Sequence, residues 1–442
     1  MYAGYSTANR HKSYFENDPM KTLIQLIYSF LILPLLILSG HLISIFNPKV
    51  RKALYERYRI FDRVSEWAEQ TNSEKTVLIH AASMGEFEHI KPVIKEVSVA
   101  FKAEVVVTFF SPSAYENVKR YKGVDLFLYA PFDFAIFWRK LYRIIKPRVI
   151  VISKHDAWPN QVWTAQKLDI PVFLVNASLH EHSSRLNPLV RPALTYVYRA
   201  IDHIFTISDQ DRYRFERYFN TKNVRTIGDT KFDQVLIRKE QSYKQKLIEE
   251  NWLNGKICLL FGSVWPEDSR HIVPALETIL INHSQLRVIL VPHQPHPEYI
   301  HKLKTSLQNF GVLLLSEKGH PGSQRVLLVD RIGVLADLYR YAQIAYVGGS
   351  FHQGIHNVLE AAIYEIPVLY GPVYKNSLEA IRLNEAGGSK VVHNKEELSR
   401  ILSLLITDNK LRKEIGAKAG HFARSHTGAT GKLKEEFRPF LE

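Results

Sequence analysis

The residues best suited to chemistry stand just after short apolar runs. The first such run ends in His80-Ala81-Ala82-Ser83-Met84-Gly85-Glu86, and an apolar-periodic stretch follows. Gly85 permits a tight turn there, and Glu86 falls in the first turn of the expected helix. A carboxylate in that position can act as a general base. The positive end of the helix dipole also favours its charged form, which lowers basicity. On position alone, a helix-start Glu that stabilises the dipole is the simpler reading. Ser111-Pro112-Ser113 offers hydroxyls and helix-start amides for an anion, or an ordinary helix start. Lys154, His155 and Asp156 stand in a row after another apolar run, where substrate contacts and a capping role are both open.

The second half of the chain has its own set. Gly348, Gly349 and Ser350 end an apolar run, and His356-Asn357-Val358-Leu359-Glu360 opens a helical pattern. Glycines let a phosphate approach the backbone, and Glu360 is placed to accept from ribose hydroxyls. Ser263 and the pair His293 and His296 follow two further runs. The two histidines lack a third metal ligand at matching spacing, so contacts to phosphate or a carboxylated sugar fit them better. The dinucleotide fingerprint G-x-G-x-x-G and the P-loop are both absent, which excludes the usual NAD enzymes and ATPases.

These sites need a scaffold that presents strand ends. Apolar runs at 77–82, 104–110, 126–130, 148–153, 171–177, 203–208 and 224–227 alternate with helix-like segments such as 86–99 and 133–145. Runs apolar at nearly every position fit strands buried on both faces of a parallel sheet. After a charged stretch at 233–255, the alternation resumes at 257–262, 287–291, 312–315, 326–329, 344–347 and 368–370. The pattern predicts two Rossmann-like domains, with a ligand cleft between the carboxyl ends of their strands. Expected bounds are 67–235 for the first domain, 236–255 for a linker and 256–442 for the second. The closing segment 395–441 reads as helical.

The 442 residues carry 58 Lys+Arg against 44 Asp+Glu, a formal charge of +14 that implies an anionic partner. A single cysteine, Cys258, excludes a disulfide framework and suits a reducing compartment. No Asp, Glu, Lys or Arg occurs between Lys21 and Lys49, and 23–46 is mostly Leu and Ile. At ~1.5 Å per residue such a run reaches across a hydrocarbon core of about 30 Å. Pro34, Gly40 and His41 interrupt it, so a kinked span and an interfacial helix are both open. Lys49, Arg51, Lys52, Arg57 and Arg59 follow, which predicts a cytoplasmic body. Residues 1–20 are expected to be poorly structured, and 21–66 to form the anchor with a basic helix. No helix-turn-helix, RNP or zinc-finger pattern supports a nucleic-acid partner.

Taken together, the motifs resemble the Kdo (3-deoxy-D-manno-octulosonic acid) transferases over residues 20–440. His80–Glu86 is similar to that family's H-x-x-S-x-G-E, Thr108–Ser113 to T-x-x-S/T-P-S/T, and 228–233, which includes Lys231, to G-x-x-K-F-D. Gly348-Gly349-Ser350 with His356-Asn357-x-x-Glu360 resembles G-G-S…H-N-x-x-E, and 366–372 resembles I-P-V-L-x-G-P. The resemblance implies a GT-B fold and an inverting, metal-independent transfer of Kdo from CMP-Kdo to a lipid A precursor. It implies no cofactor, and a site at the cytoplasmic face of the inner membrane. Glu86 would then be the general base, and Gly348–Ser350, Asn357 and Glu360 would hold CMP. Two segments depart from the family. Ser153-Lys154-His155-Asp156-Ala157-Trp158-Pro159-Asn160 stands where many members read M-E-x-E-x-W-P-N, and 292–298 lacks the Arg of P-R-H-P-E. Both lie where substrate recognition is expected. A GT-B-like nucleotide-sugar epimerase and a non-catalytic membrane-associated relative are the alternatives.

Overall fold

The computed structural model describes residues 18–71, 74–118, 121–317 and 322–442. Most of the terminus expected to be poorly structured, 1–17, lies outside the described residues. The chain forms two compact units, one of Met1–Lys231 with Gly428–Glu442 and one of Phe232–Thr427.

The first unit is built on seven parallel strands: β1 (Thr76–His80), β2 (Glu104–Phe109), β3 (Leu126–Tyr129), β4 (Val149–Ser153), β5 (Val172–Ala177), β6 (His203–Thr206) and β7 (Val224–Thr226). Their spatial order is β3-β2-β1-β4-β5-β6-β7. Alternate side chains serve opposite faces, because successive Cβ atoms on a strand point to opposite sides. Val77, Ile79, Val105 and Val149 pack with the helix Met84–Ala100 through Phe87, Ile90 and Val93. Leu78, Val106, Ile150 and Leu174 pack with Trp138 and Leu141 on the other face. The sheet is covered on both sides, as its unbroken apolar strands require.

The second unit repeats the plan with β8 (Ile257–Val264), β9 (Leu286–Pro292), β10 (Val312–Leu314), β11 (Val326–Leu328), β12 (Ile344–Val347), β13 (Val368–Tyr370) and β14 (Ser389–Val391). The order is β10-β11-β9-β8-β12-β13-β14, again with every pairing parallel. This is the expected two-domain α/β architecture. β14 was not foreseen, because Ser389-Lys390-Val391 is short and polar. Residues 236–255, expected as a linker, are ordered against the second unit. They hold most of the helix Thr230–Ser242 and a turn of helix at Glu250–Leu253, and Ile248 and Trp252 are buried in the second unit's core.

The closing helices also part company. Lys395–Thr407 and Asn409–Ser425 belong to the second unit, whereas Ala429–Leu441 returns to the first. There Phe437 stacks on Phe173 of β5, with centroids 5.2 Å apart, and Lys434 pairs with Glu96 at 3.0 Å. At the other end, Pro19–Phe46 forms a helical run long and apolar enough to cross a membrane by length and composition, with mean hydropathy 2.2. One π-helical stretch, Tyr28–Ile32, interrupts it just before Pro34, whose missing N–H and bulky ring disfavour regular α-helical bonding.

Phe437 is fully enclosed, so Phe437→Ala leaves a cavity and removes a ring stack. We expect a loss of about 3–5 kcal/mol. Chemical denaturation should show it in the transition of the first unit, with that of the second unmoved.

Candidate functional site

In an open parallel sheet, ligands bind beyond the carboxyl ends of the strands, where the strand order reverses. The first unit reverses between β1 and β4, and its chemistry-bearing residues lie directly after those two strands. Ser83 caps the helix Met84–Ala100 by accepting from the Glu86 N–H at 3.3 Å. The Glu86 carboxylate turns back and accepts from the Ala82 N–H at 2.7 Å. Glu86 is 7% exposed. Burial raises its carboxyl above the ordinary value and Asp156 adds to the rise, while the Ala82 N–H, His80 and Lys154 oppose them. Burial therefore outweighs the helix-start effect that position alone suggested.

Gly85 sits inside the first helical turn rather than in a tight turn. A Cβ placed on it would meet nothing closer than Ser83 Oγ at 4.0 Å. The fold does not need glycine there, and the space at Gly85 is open.

His80 ends β1 and is fully buried. One ring nitrogen lies 3.0 Å from Thr108 Oγ1 on β2, and the other 3.2 Å from Asp156 Oδ2 after β4. His80 thus bridges the reversal of strand order. Burial pushes the Asp156 carboxyl up, but hydrogen bonds from His80 and from Trp158 Nε1 at 3.1 Å leave it below its ordinary value. Asp156 is therefore a fixed negative charge beside Glu86. Lys154 starts the same loop in the left-handed conformation (φ 62°), with its N–H bonded to the Val175 carbonyl.

Other expected residues of this unit are more peripheral. His155 is exposed on the rim. Ser111 and Ser113 bond to each other at 2.9 Å, and the Ser111 N–H donates to the Ala82 carbonyl. Lys231 lies 3.2 Å from buried Asp229. Burial pushes the Asp229 carboxyl up, but Lys231 and His89 more than reverse this and hold it below the ordinary range.

The second unit reverses between β8 and β12. Asp268, fully buried, closes this gap by accepting from the N–H groups of Gly349 at 2.7 Å and Trp265 at 2.9 Å. Ser263 adopts a left-handed φ of 54°, and a Cβ on Gly348 would fall 2.2 Å from its carbonyl oxygen. Glycine at 348 is thus demanded by close approach of two loops. Gly349 has a φ of 84°.

Beside these loops, three rings stack. His293 lies against both Trp265 and His356, with centroids 4.3 and 4.5 Å away, while those two rings sit side by side with centroids 6.2 Å apart. Trp265 Nε1 donates to His356 Nε2 at 2.8 Å. Burial, with His293 alongside, pushes His356 down to about 4. The ring is therefore neutral at physiological pH and carries its proton on Nδ1, a neutral donor for a phosphate or carboxylate oxygen.

The remaining second-unit residues divide. The Ser350 hydroxyl is buried and consumed internally, accepting from the Gly371 N–H at 2.6 Å and donating to the Val347 carbonyl at 3.1 Å. Its side chain shapes the loop rather than offering itself to a ligand. Asn357 caps its neighbour Leu359, and Glu360 pairs with Arg238 at 3.0 Å. His296 stands apart from the ring stack, exposed and bonded to Gln294. Asp268 was missed by sequence reasoning. Its signal was an acid at the third helix position after a strand, the same arrangement that drew attention to Glu86.

Residues 52–234 match the family model described as 3-deoxy-D-manno-octulosonic-acid transferase (kdotransferase). The chain is 25% identical over 425 residues to the 3-deoxy-D-manno-octulosonic acid transferase of Haemophilus influenzae, covering 92% of this chain and 96% of that protein. It is 28% identical over 347 residues to the enzyme of the same name from Aquifex aeolicus, covering 78% and 90%. Among solved structures, the UDP-GlcNAc 2-epimerase from Neisseria meningitidis superposes with a TM-score of 0.59 at 14% identity, over 82% of this chain and 100% of that one. That second likeness is one of fold, and the architecture is GT-B-like. Over most of its length the chain is similar to Kdo transferases, which are glycosyltransferases.

The cation of Lys154 favours the charged form of Glu86. Lys154→Met should therefore raise the Glu86 pKa. Infrared titration of the Glu86 carboxyl is expected to show its midpoint moved to higher pH. A midpoint that stays in place would remove Lys154 from the electrostatics of Glu86.

Proposed function

We propose that this protein transfers Kdo from CMP-Kdo to a lipid A precursor with inversion, at the cytoplasmic face of the inner membrane, in lipopolysaccharide biosynthesis. The observation that carries this reading is Glu86. It is an almost fully buried carboxylate at the strand-order reversal, beside open space at Gly85, with its pKa raised. A carboxylate made more basic by burial suits proton abstraction near neutral pH.

In this scheme Glu86 takes the proton of an acceptor hydroxyl as the oxygen attacks the anomeric carbon of Kdo. The bond from that carbon to the CMP phosphate breaks on the opposite face, and CMP leaves with the electron pair. The second unit holds the nucleotide. Gly348 and Gly349 let its phosphate approach the backbone, and neutral His356 offers its Nδ1–H. The transfer in this scheme is metal-independent. The excess of 14 positive charges suits a phosphorylated lipid acceptor, an anionic donor and an anionic membrane surface. No cofactor is part of the scheme.

Glu86→Gln tests the role of the base. Because the folded-state pKa of Glu86 is raised, the fold prefers the neutral carboxyl, and its contribution to stability fades as pH rises through that value. Gln is neutral at every pH, so the variant should melt no lower than wild type at pH 7 and still bind CMP. Transfer should fall by ~10²–10⁴-fold. Mass spectrometry of lipid A precursor incubated with CMP-Kdo reads the outcome. Undiminished product would refute Glu86 as the base, whereas donor consumed without lipid product would favour the epimerase alternative.

A further inference from the structure

Polar and ring contacts tie the apolar run Pro19–Phe46 to the first unit at points from Asp18 to His41. Asp18, just before the helix, accepts from Tyr196 OH at 2.8 Å, and buried Lys21 donates to Gln166 at 3.1 Å. Midway, Tyr28 OH donates to Asp133 at 2.8 Å and Ser29 accepts from Asn160 at 3.1 Å. Leu33 is buried, and further on His41 stacks on Phe132 and bonds to Tyr58 OH at 3.0 Å.

The central fastening is deep in the protein. Asp133 is 3% exposed and also accepts from Trp138 Nε1 at 2.6 Å and from the N–H groups of Asn160 and Gln161. These contacts run from residue 18 to residue 41, about 35 Å at ~1.5 Å per residue. That is about the thickness of a hydrocarbon core. A helix crossing the bilayer would carry these buried polar partners into hydrocarbon with it, which is prohibitive.

The opposite side of the run is strongly apolar and bare. Leu23, Leu26, Phe30, Leu35, Leu38 and Phe46 are all about half exposed or more, with Phe30 at 77% and Phe46 at 87%. Cations border this stripe. Lys49 and Arg51 are exposed at its end. Arg139 and Lys167 line a crevice of about 180 Å³ beside Leu26 and Phe30. An apolar stripe edged with cations complements an anionic lipid surface, where acyl chains meet phosphate headgroups.

We propose that Pro19–Phe46 lies in the plane of an anionic bilayer leaflet, half immersed and clamped to the first unit through Tyr28 and Asp133, and does not cross the membrane. This fixes the catalytic unit on the lipid surface. Arg57 donates to the carbonyls of Ala130 and Phe110, and Phe110 stacks on Trp158, whose indole N–H bonds to Asp156. A chain of contacts thus joins the membrane-bound edge to the loop beside Glu86. The inference rests on the membrane attachment proposed above and not on which sugar is moved.

The test uses the full chain, in which Cys258 is buried and shielded from label. Single cysteines at Leu23, Phe30 and Phe46 carry an environment-sensitive fluorophore, and vesicles of phosphatidylethanolamine and phosphatidylglycerol contain depth-graded quenchers. All three probes are expected at one shallow depth. Phe30→Asp should weaken vesicle binding, and high salt should weaken binding further without abolishing it. A probe at Phe30 near the bilayer centre with those at Leu23 and Phe46 at opposite faces would overturn the proposal. So would failure to bind vesicles, or burial of the stripe in a dimer of this chain. Transfer to detergent-dispersed lipid acceptor, measured in parallel, reports on the reaction separately.

Discussion

Where the strand order of a parallel sheet reverses, neighbouring loops leave the sheet in opposite directions, and the gap between them has backbone donors to satisfy. Each unit of this protein meets that constraint with acids on the loops beside the reversal. In the first, Glu86 accepts from Ala82, and Asp156 reaches His80 across the reversal. In the second, Asp268 ties the Trp265 loop to Gly349. The two solutions diverge in what they leave over. Asp268 accepts from two N–H groups and from Tyr346 OH at 3.2 Å, so it is saturated and structural. Glu86 has one backbone N–H, a neighbouring negative charge and open space at Gly85, so it is available for chemistry.

The same contrast accounts for the supporting residues. His80 is fixed from both ring nitrogens and so holds Asp156 near Glu86. In the second unit, Trp265 fixes the tautomer of His356, and Ser350 spends its hydroxyl on holding the glycine loop to Gly371. These groups act by placing others, and their effect reaches a ligand through loop geometry.

Much of this was legible in the sequence because a doubly covered parallel sheet forces uninterrupted apolar runs, such as Val105-Val106-Val107, that few other structures need. The strands that carry the site were of this kind. β14 was not, since Ser389-Lys390-Val391 is an edge strand with little apolar content. The packing of 236–255 was hidden because Ile248 and Trp252 are isolated among charged residues, and two buried side chains give no period. The basicity of Glu86 was illegible for a different reason. Dipole and burial act in opposite directions on a helix-start acid, and only the second depends on what folds over it. Gly85 was read as a turn residue, whereas its lack of a side chain matters for the room it leaves.

The central claim is that burial, opposed by the Ala82 N–H, His80 and Lys154, keeps the Glu86 carboxyl more basic than an ordinary glutamate. Infrared difference spectroscopy of the carboxyl stretch, wild type minus Glu86→Gln across a pH series, measures that titration directly. The account predicts a midpoint above the ordinary value of about 4.3. A midpoint at or below that value would mean that the helix dipole and the Ala82 bond prevail, and would contradict it.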